Sequence, residues 1–180
     1  NVGGFYINRM IAADLIFSLH EDKREREKLW RNIDLYHKHQ NDEDYIKVMN
    51  EKSFAFFRTY GNLLRRVEDA KVSICSKISN WNLDADLDQT FQRIPVPKEA
   101  FSVNPNMIEI SFSASRLKSI FEDKVWKQKL LLSIRKGLER ANQELEGKSI
   151  SAVLLSGGSA NIKWMKPLIR RDLEDLFRDT

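Results

Sequence analysis

Residues 41–77 contain no proline and place Phe56, Tyr60, Leu63 and Val67 at successive steps of four, three and four. That spacing follows the helical period, so it stacks one aromatic-rich stripe along a single face of a long helix. Asn41 and Asp42 supply N-cap chemistry at its start. An amphipathic helix of this length is stable only against partners, and two further helical patterns offer them. In residues 8–40, Met10, Ala13, Leu15 and Ile16 lead through a highly charged stretch at 21–28 to Leu29, Trp30, Ile33 and Tyr36. The charged middle predicts either a helix exposed on most sides or a break near residues 20–22. In residues 113–146, Leu131, Ile134, Leu138, Ala141 and Leu145 form the expected core seam, and Gly147 stands where a C′ glycine ends a helix.

The composition agrees with an α-rich domain. Seven glycines and four prolines in 180 residues are too few for a turn-rich sandwich or barrel. The longest apolar stretches, such as Ala152-Val153-Leu154-Leu155, are far too short to span a membrane. The N-terminal residues lack the basic and apolar regions of a signal peptide, and the chain opens mid-pattern without methionine, as an excised segment would. Cys75 is the single cysteine, which fits a reducing compartment and a cytoplasmic location. The net charge of +4 divides into −1 for residues 1–90 and +5 for residues 91–180. This bias is compatible with an anionic ligand and far from a nucleic-acid-binding tail.

One region between the long helical patterns reads as β. Residues 83–88 alternate apolar and acidic side chains, the period-two mark of a half-exposed strand. Pro95, Pro97 and Pro105 then keep the chain out of helix, and residues 107–112 read as a second strand. A third expected strand, residues 151–156, runs into Gly157-Gly158-Ser159 and a helix to about Arg178.

Several familiar chemistries are excluded by spacing. Asp84, Asp86 and Asp88 imitate the opening of a calcium loop, but its glycine and final carboxylate positions hold Gln89 and Pro95. Gly147-Lys148-Ser149 lacks the first glycine of a phosphate-binding loop, whose place is taken by Asn142. His37 and His39 are two apart and point to different faces of a helix, so they support no metal site. No Gly-x-Ser-x-Gly elbow occurs for a hydrolase. The basic residues Lys163, Lys166, Arg170, Arg171 and Arg178 are interleaved with acids, the pattern of a solvated helix face.

The glycine pair is the exception. An apolar strand meeting Gly157-Gly158, with Ser159 placed to cap the next helix, lets backbone N–H groups approach a ligand and favours anions or ribose-phosphates. Residues 156–162, Ser-Gly-Gly-Ser-Ala-Asn-Ile, resemble the G-G-S-T-R-I segment of the seventy-kilodalton heat-shock chaperones, the DnaK family. Residues 66–75, Arg-Val-Glu-Asp-Ala-Lys-Val-Ser-Ile-Cys, resemble that family's C-E-R-A-K-R-x-L-S adenosine helix. Residues 3–10, Gly-Gly-Phe-Tyr-Ile-Asn-Arg-Met, are similar to its G-G-x-D-F-D-N-R-M. Residues 110–117, Ile-Ser-Phe-Ser-Ala-Ser-Arg-Leu, are similar to its Y-T-S-I-T-R-A-R-F. The four segments stand in the family's order and cover most of the chain.

The resemblance implies a mixed α+β fold, part of lobe II of an actin-like ATPase. Residues 1–112 would form a subdomain IIB-like helical arm with a small sheet, and residues 113–180 a partial subdomain IIA-like helix–strand–helix. Nucleotide binds between the two lobes in that family. Glu68 and Lys71 would contact its ribose and adenine side, and Gly157, Gly158 and Ser159 would face it from the opposite wall. The departures are specific. The two arginines that stack on adenine are replaced by Val72 and Asn161, and the serine that bonds the base by Cys75. The first motif is one residue short and carries Phe5 and Tyr6 in place of its acidic pair.

The family's D-L-G-T-T phosphate loop, catalytic lysine, magnesium-binding acids and second phosphate loop are not among these 180 residues. ATP or ADP, with magnesium held by those other segments, is therefore expected as the ligand of a complete parent protein. The 180 residues alone are not expected to bind it well or to hydrolyse it. The expected partners are adenine nucleotide and client or co-chaperone proteins, with self-association through the exposed strand 151–156 and no nucleic acid or membrane. A helical protein-interaction module that has kept the fold and lost the nucleotide is the alternative, motivated by Val72 and Asn161.

Overall fold

The computed structural model describes residues 3–78, 81, 84–96, 101, 109–144 and 162–174. Among them it is mixed α+β, mostly helical, with one two-stranded sheet. The first charged pattern is two helices. α1 (Gly4–Phe17) begins earlier than the apolar pattern implies, and α2 (Lys23–His39) restarts after the break, with the Asp22 carboxylate accepting from the Arg24 N–H. α1 is apolar around most of its circumference, with Ile7, Ile11, Ala12, Leu15 and Ile16 buried. α2 buries only Leu29 and Ile33, and its charged remainder lies in solvent.

The long central pattern also divides. α3 (Glu43–Lys47) is capped by Asp42, and α4 (Glu51–Lys77) by Asn50, whose side chain accepts from the Ser53 N–H at 2.9 Å. Phe56, Tyr60, Leu63 and Val67 are buried along α4, as the stripe requires, and α1 and α2 pack on it. Gly61 makes the approach of α2 possible: a Cβ there would lie 2.9 Å from the Tyr36 hydroxyl oxygen. The Tyr36 ring meets Phe57 and Tyr60 edge-on.

The acidic alternation at residues 83–88 does not form a strand. Asp84–Gln89 is a short helix, α5, with Leu87 buried. The period of two is carried by aspartates, with no β-branched or aromatic side chain to support a strand, and the helix still buries the leucine. The pairing strand lies just beyond it. β1 (Phe91–Pro95) runs antiparallel to β2 (Glu109–Ser113), with Ile94 opposite Ile110 and Gln92 opposite Phe112.

Ser113 caps the next helix through its hydroxyl, which accepts from the Arg116 N–H. That helix is α6 (Ala114–Ile120); it widens into a π-helical segment (Phe121–Leu130) and continues as α7 (Leu131–Glu144). The core contribution comes from Ala114, Leu117, Phe121, Val125 and Trp126. The expected seam behaves differently: Leu131, Ile134, Leu138 and Ala141 are only half-buried, and Leu132 is exposed. α8 (Met165–Leu173) closes the described chain, docking through Trp126, whose indole N–H donates to the Asp172 carboxylate at 2.5 Å. The expected helix stop at Gly147 and the strand at residues 151–156 lie outside the described residues. No helix among the described residues is long and apolar enough to cross a membrane.

Candidate functional site

Glu68, Lys71, Val72 and Cys75 follow the spacing of three, four and seven that brings residues to one face of α4. A ring of hydrogen bonds orders the first two. The Lys71 ammonium donates to the Glu68 Oε2 at 2.6 Å and to the Asn8 Oδ1 at 2.9 Å, and the Asn8 Nδ2 donates to the same Glu68 oxygen at 2.5 Å. Asn8 comes from α1 and is buried; the start of α1 faces the ammonium, since a Cβ on Gly4 would lie 3.8 Å from it. Partial burial pushes the Glu68 carboxyl up, and the bonds from Lys71 and Asn8 more than offset this, holding it below the ordinary carboxylate range.

Val72 is 55% exposed and presents an uncharged surface where the resemblance places a stacking arginine. Cys75 is half-buried, and burial pushes its thiol up against the opposing pull of Lys71 and Lys163. That environment makes it a poor nucleophile. Gly157, Gly158, Ser159 and Asn161 lie outside the described residues. The chain is described again from Ile162. Lys163 donates to the carbonyl of Ile78, the C-cap of α4, and Trp164 packs on Trp81 with ring centroids 3.9 Å apart and on Phe121 at 5.4 Å. The segment that follows the glycine motif is thus fastened to the end of the helix that carries Glu68 to Cys75.

Elsewhere, Arg116 ties α6 to α1 by bonding the Asp14 carboxylate at 2.8 Å and its carbonyl at 3.1 Å. His37 sits among Tyr36, Tyr60 and Phe5, and its Nε2 is 3.3 Å from the Tyr60 hydroxyl. Burial, then the Arg9 charge, push this imidazole down to about 4 against a smaller opposing pull from Asp34, so it is neutral at pH 7. Arg9 itself pairs with Asp34 and lies over the Trp30 ring, 4.9 Å from its centroid. Beside Trp30, at the corner of α1 and α2, a shallow groove is lined by Phe17, Lys23, Arg26 and Arg31 with Glu27. Among the described residues no three His, Cys, Asp or Glu side chains are grouped to hold a metal.

The residue that sequence reasoning missed is Asn8. It appears in the quoted glycine motif, but its partners are 60 and 63 positions away, and no local spacing signals such a contact. The only available signal was an amide on the apolar circumference of α1, where an unpaired polar group would be costly. The site thus belongs to a mixed α+β, predominantly helical protein. Comparison of the chain with protein-family models, with curated proteins and with solved structures gives no match.

Proposed function

We propose that the chain contributes one wall of the nucleotide cleft in the ATP/ADP-binding domain of a divergent, heat-shock-chaperone-like, actin-like ATPase. The observation that carries this reading is the ordered Asn8–Glu68–Lys71 ring on α4, whose C-terminal end receives the chain just beyond the glycine motif. The residues suit the sugar side of a nucleoside: Glu68 offers a charged acceptor and Lys71 a donor. They do not suit tight stacking of adenine, because Val72 and Asn161 supply no guanidinium. Phosphate and magnesium chemistry falls to segments of the parent protein beyond these residues. Client or co-chaperone proteins are its expected partners.

Calorimetric titration of ADP into the complete protein tests the reading. Measurable binding that is lost in Glu68→Gln/Lys71→Met supports it, and its absence in the unaltered protein refutes it. The chain alone, holding one wall of a two-lobed site, is expected to bind ADP weakly or undetectably.

A second reading, an interaction module that no longer binds nucleotide, is favoured by one observation. The groove beside Trp30 combines two aromatic rings with three cations and one acid. Failure of ADP binding together with retention of an acidic, leucine-bearing peptide that is lost in Trp30→Ala would select it.

A further inference from the structure

We infer that Asn8 is a positioning residue of the proposed cleft, which fixes Glu68 so that its free oxygen accepts a hydrogen bond from a sugar hydroxyl. The inference rests on the nucleotide-cleft reading, which already sets Glu68 against the sugar, and adds to it the residue that fixes the geometry of that wall. Both bonds received by Glu68, from Asn8 and from Lys71, end on Oε2. Its Oε1 has no partner among the described residues, and the side chain is 45% exposed. The ring therefore consumes one carboxylate oxygen and presents the other to solvent.

The Asn8 carboxamide cannot be turned over without loss. Flipping it would set its NH2 against the Lys71 ammonium and its carbonyl oxygen against the Glu68 carboxylate, two repulsive contacts in place of two bonds. Buried on α1, it acts as a fixed template that orders two long, otherwise rotamer-rich side chains of α4 before any ligand arrives. Because the Lys71 charge is already spent on Glu68, the ring offers no net cation to a phosphate. What it offers at Glu68 is one oriented acceptor, which suits the sugar hydroxyl that the nucleotide-cleft reading places there.

The test compares ADP with 2′-deoxy-ADP and 3′-deoxy-ADP in calorimetric titrations of the complete protein. The unaltered protein is expected to prefer ADP over at least one analogue by about tenfold, the loss typical of a hydrogen bond to a charged group. Asn8→Leu, close in size, and Asn8→Asp, which repels Glu68, should each bring that preference close to unity. Thermal melts identify which variants are folded, and Asn8→Asp keeps the comparison usable if the leucine variant is not. A general loss of stability would weaken ADP and its analogues alike and leave their ratio unchanged. If folded Asn8 variants keep the full preference, or if Glu68→Gln keeps it, the inference is overturned while the cleft reading stands. If the unaltered protein binds no ADP, the cleft reading fails and this inference fails with it.

Discussion

At Asn8, α1 is joined to α4 by hydrogen bonds from both ends of one carboxamide, whereas beyond its C-terminal end α4 is joined to α8 by two indoles packed at a tilt, Trp81 and Trp164, whose buried N–H groups have no partner among the described residues. Both junctions are tight, but they carry different things. The aromatic one supplies burial, which is strong and tolerant of orientation. The polar one supplies direction, since each bond is satisfied in one geometry only. A junction that must hold a side chain ready for a ligand needs the second kind.

The largest expected effect falls on the aromatic junction. Trp164→Ala should cost about 3–5 kcal/mol, as large-to-small substitutions of buried aromatics do. Urea unfolding followed by circular dichroism reads it, and a loss under about 1 kcal/mol would mean that the Trp81 contact carries little weight.

Next comes an indole that is paired. Replacing Trp126 by 3-benzothienylalanine exchanges its N–H for sulfur with little change of shape, and leaves the Asp172 carboxylate with its two bonds from Arg171 alone. A loss of about 1.5–3 kcal/mol is expected, as for hydrogen bonds to charged groups.

His37 sharpens the contrast between paired and buried groups because its contribution varies with pH. The unfolded chain takes up a proton near pH 6.5, but the folded chain does so only near 4. Stability from this group is therefore complete above about pH 6.5 and is lost as the pH falls toward 4. The residue is only partly buried, so the effect is about 1 kcal/mol after screening. Melting temperatures measured across that window should fall, and the part due to this residue should vanish in His37→Phe; an unchanged slope would rule out His37 as the source.

The smallest effect is the most discriminating. The same benzothienyl replacement at Trp164 removes no hydrogen bond among the described residues and should change stability by less than about 0.5 kcal/mol. A loss as large as that at Trp126 would show that the Trp164 N–H is satisfied, by water for example.

How much of this was legible beforehand follows from the range of the forces involved. Helix caps and the α4 stripe act within a few residues, so the cap at Asp42, the helix start near Ser113 and the run from Phe56 to Val67 could be read directly. The alternation at residues 83–88 was misread as a strand because period two was carried by aspartates and there was no β-branched or aromatic support. Phe91–Pro95 was missed because Pro95 was read only as a bar to helix, whereas an edge strand tolerates a proline. For the candidate site, the helix face of Glu68 and Lys71 was visible, and the Asn8 contact that orders it was not, being a product of tertiary packing.

The widened turns between Phe121 and Leu130 carry a consequence for everything after them. An α-helix advances 3.6 residues per turn, and hydrogen bonds reaching one residue further take up close to one more. Over these ten residues the helix falls behind by roughly half a revolution. The side chains of α7 are thereby rotated out of phase with those of α6, and a leucine stripe that looks like a continuation of the core points elsewhere. The segment works as a phase shifter: it keeps one axis while changing which side of the rod faces inward. Shortening it by a single residue would swing Leu131, Ile134 and Leu138 to a new heading, and α8, which is held to α7 through Arg135 and the Asp172 carbonyl, would have to follow.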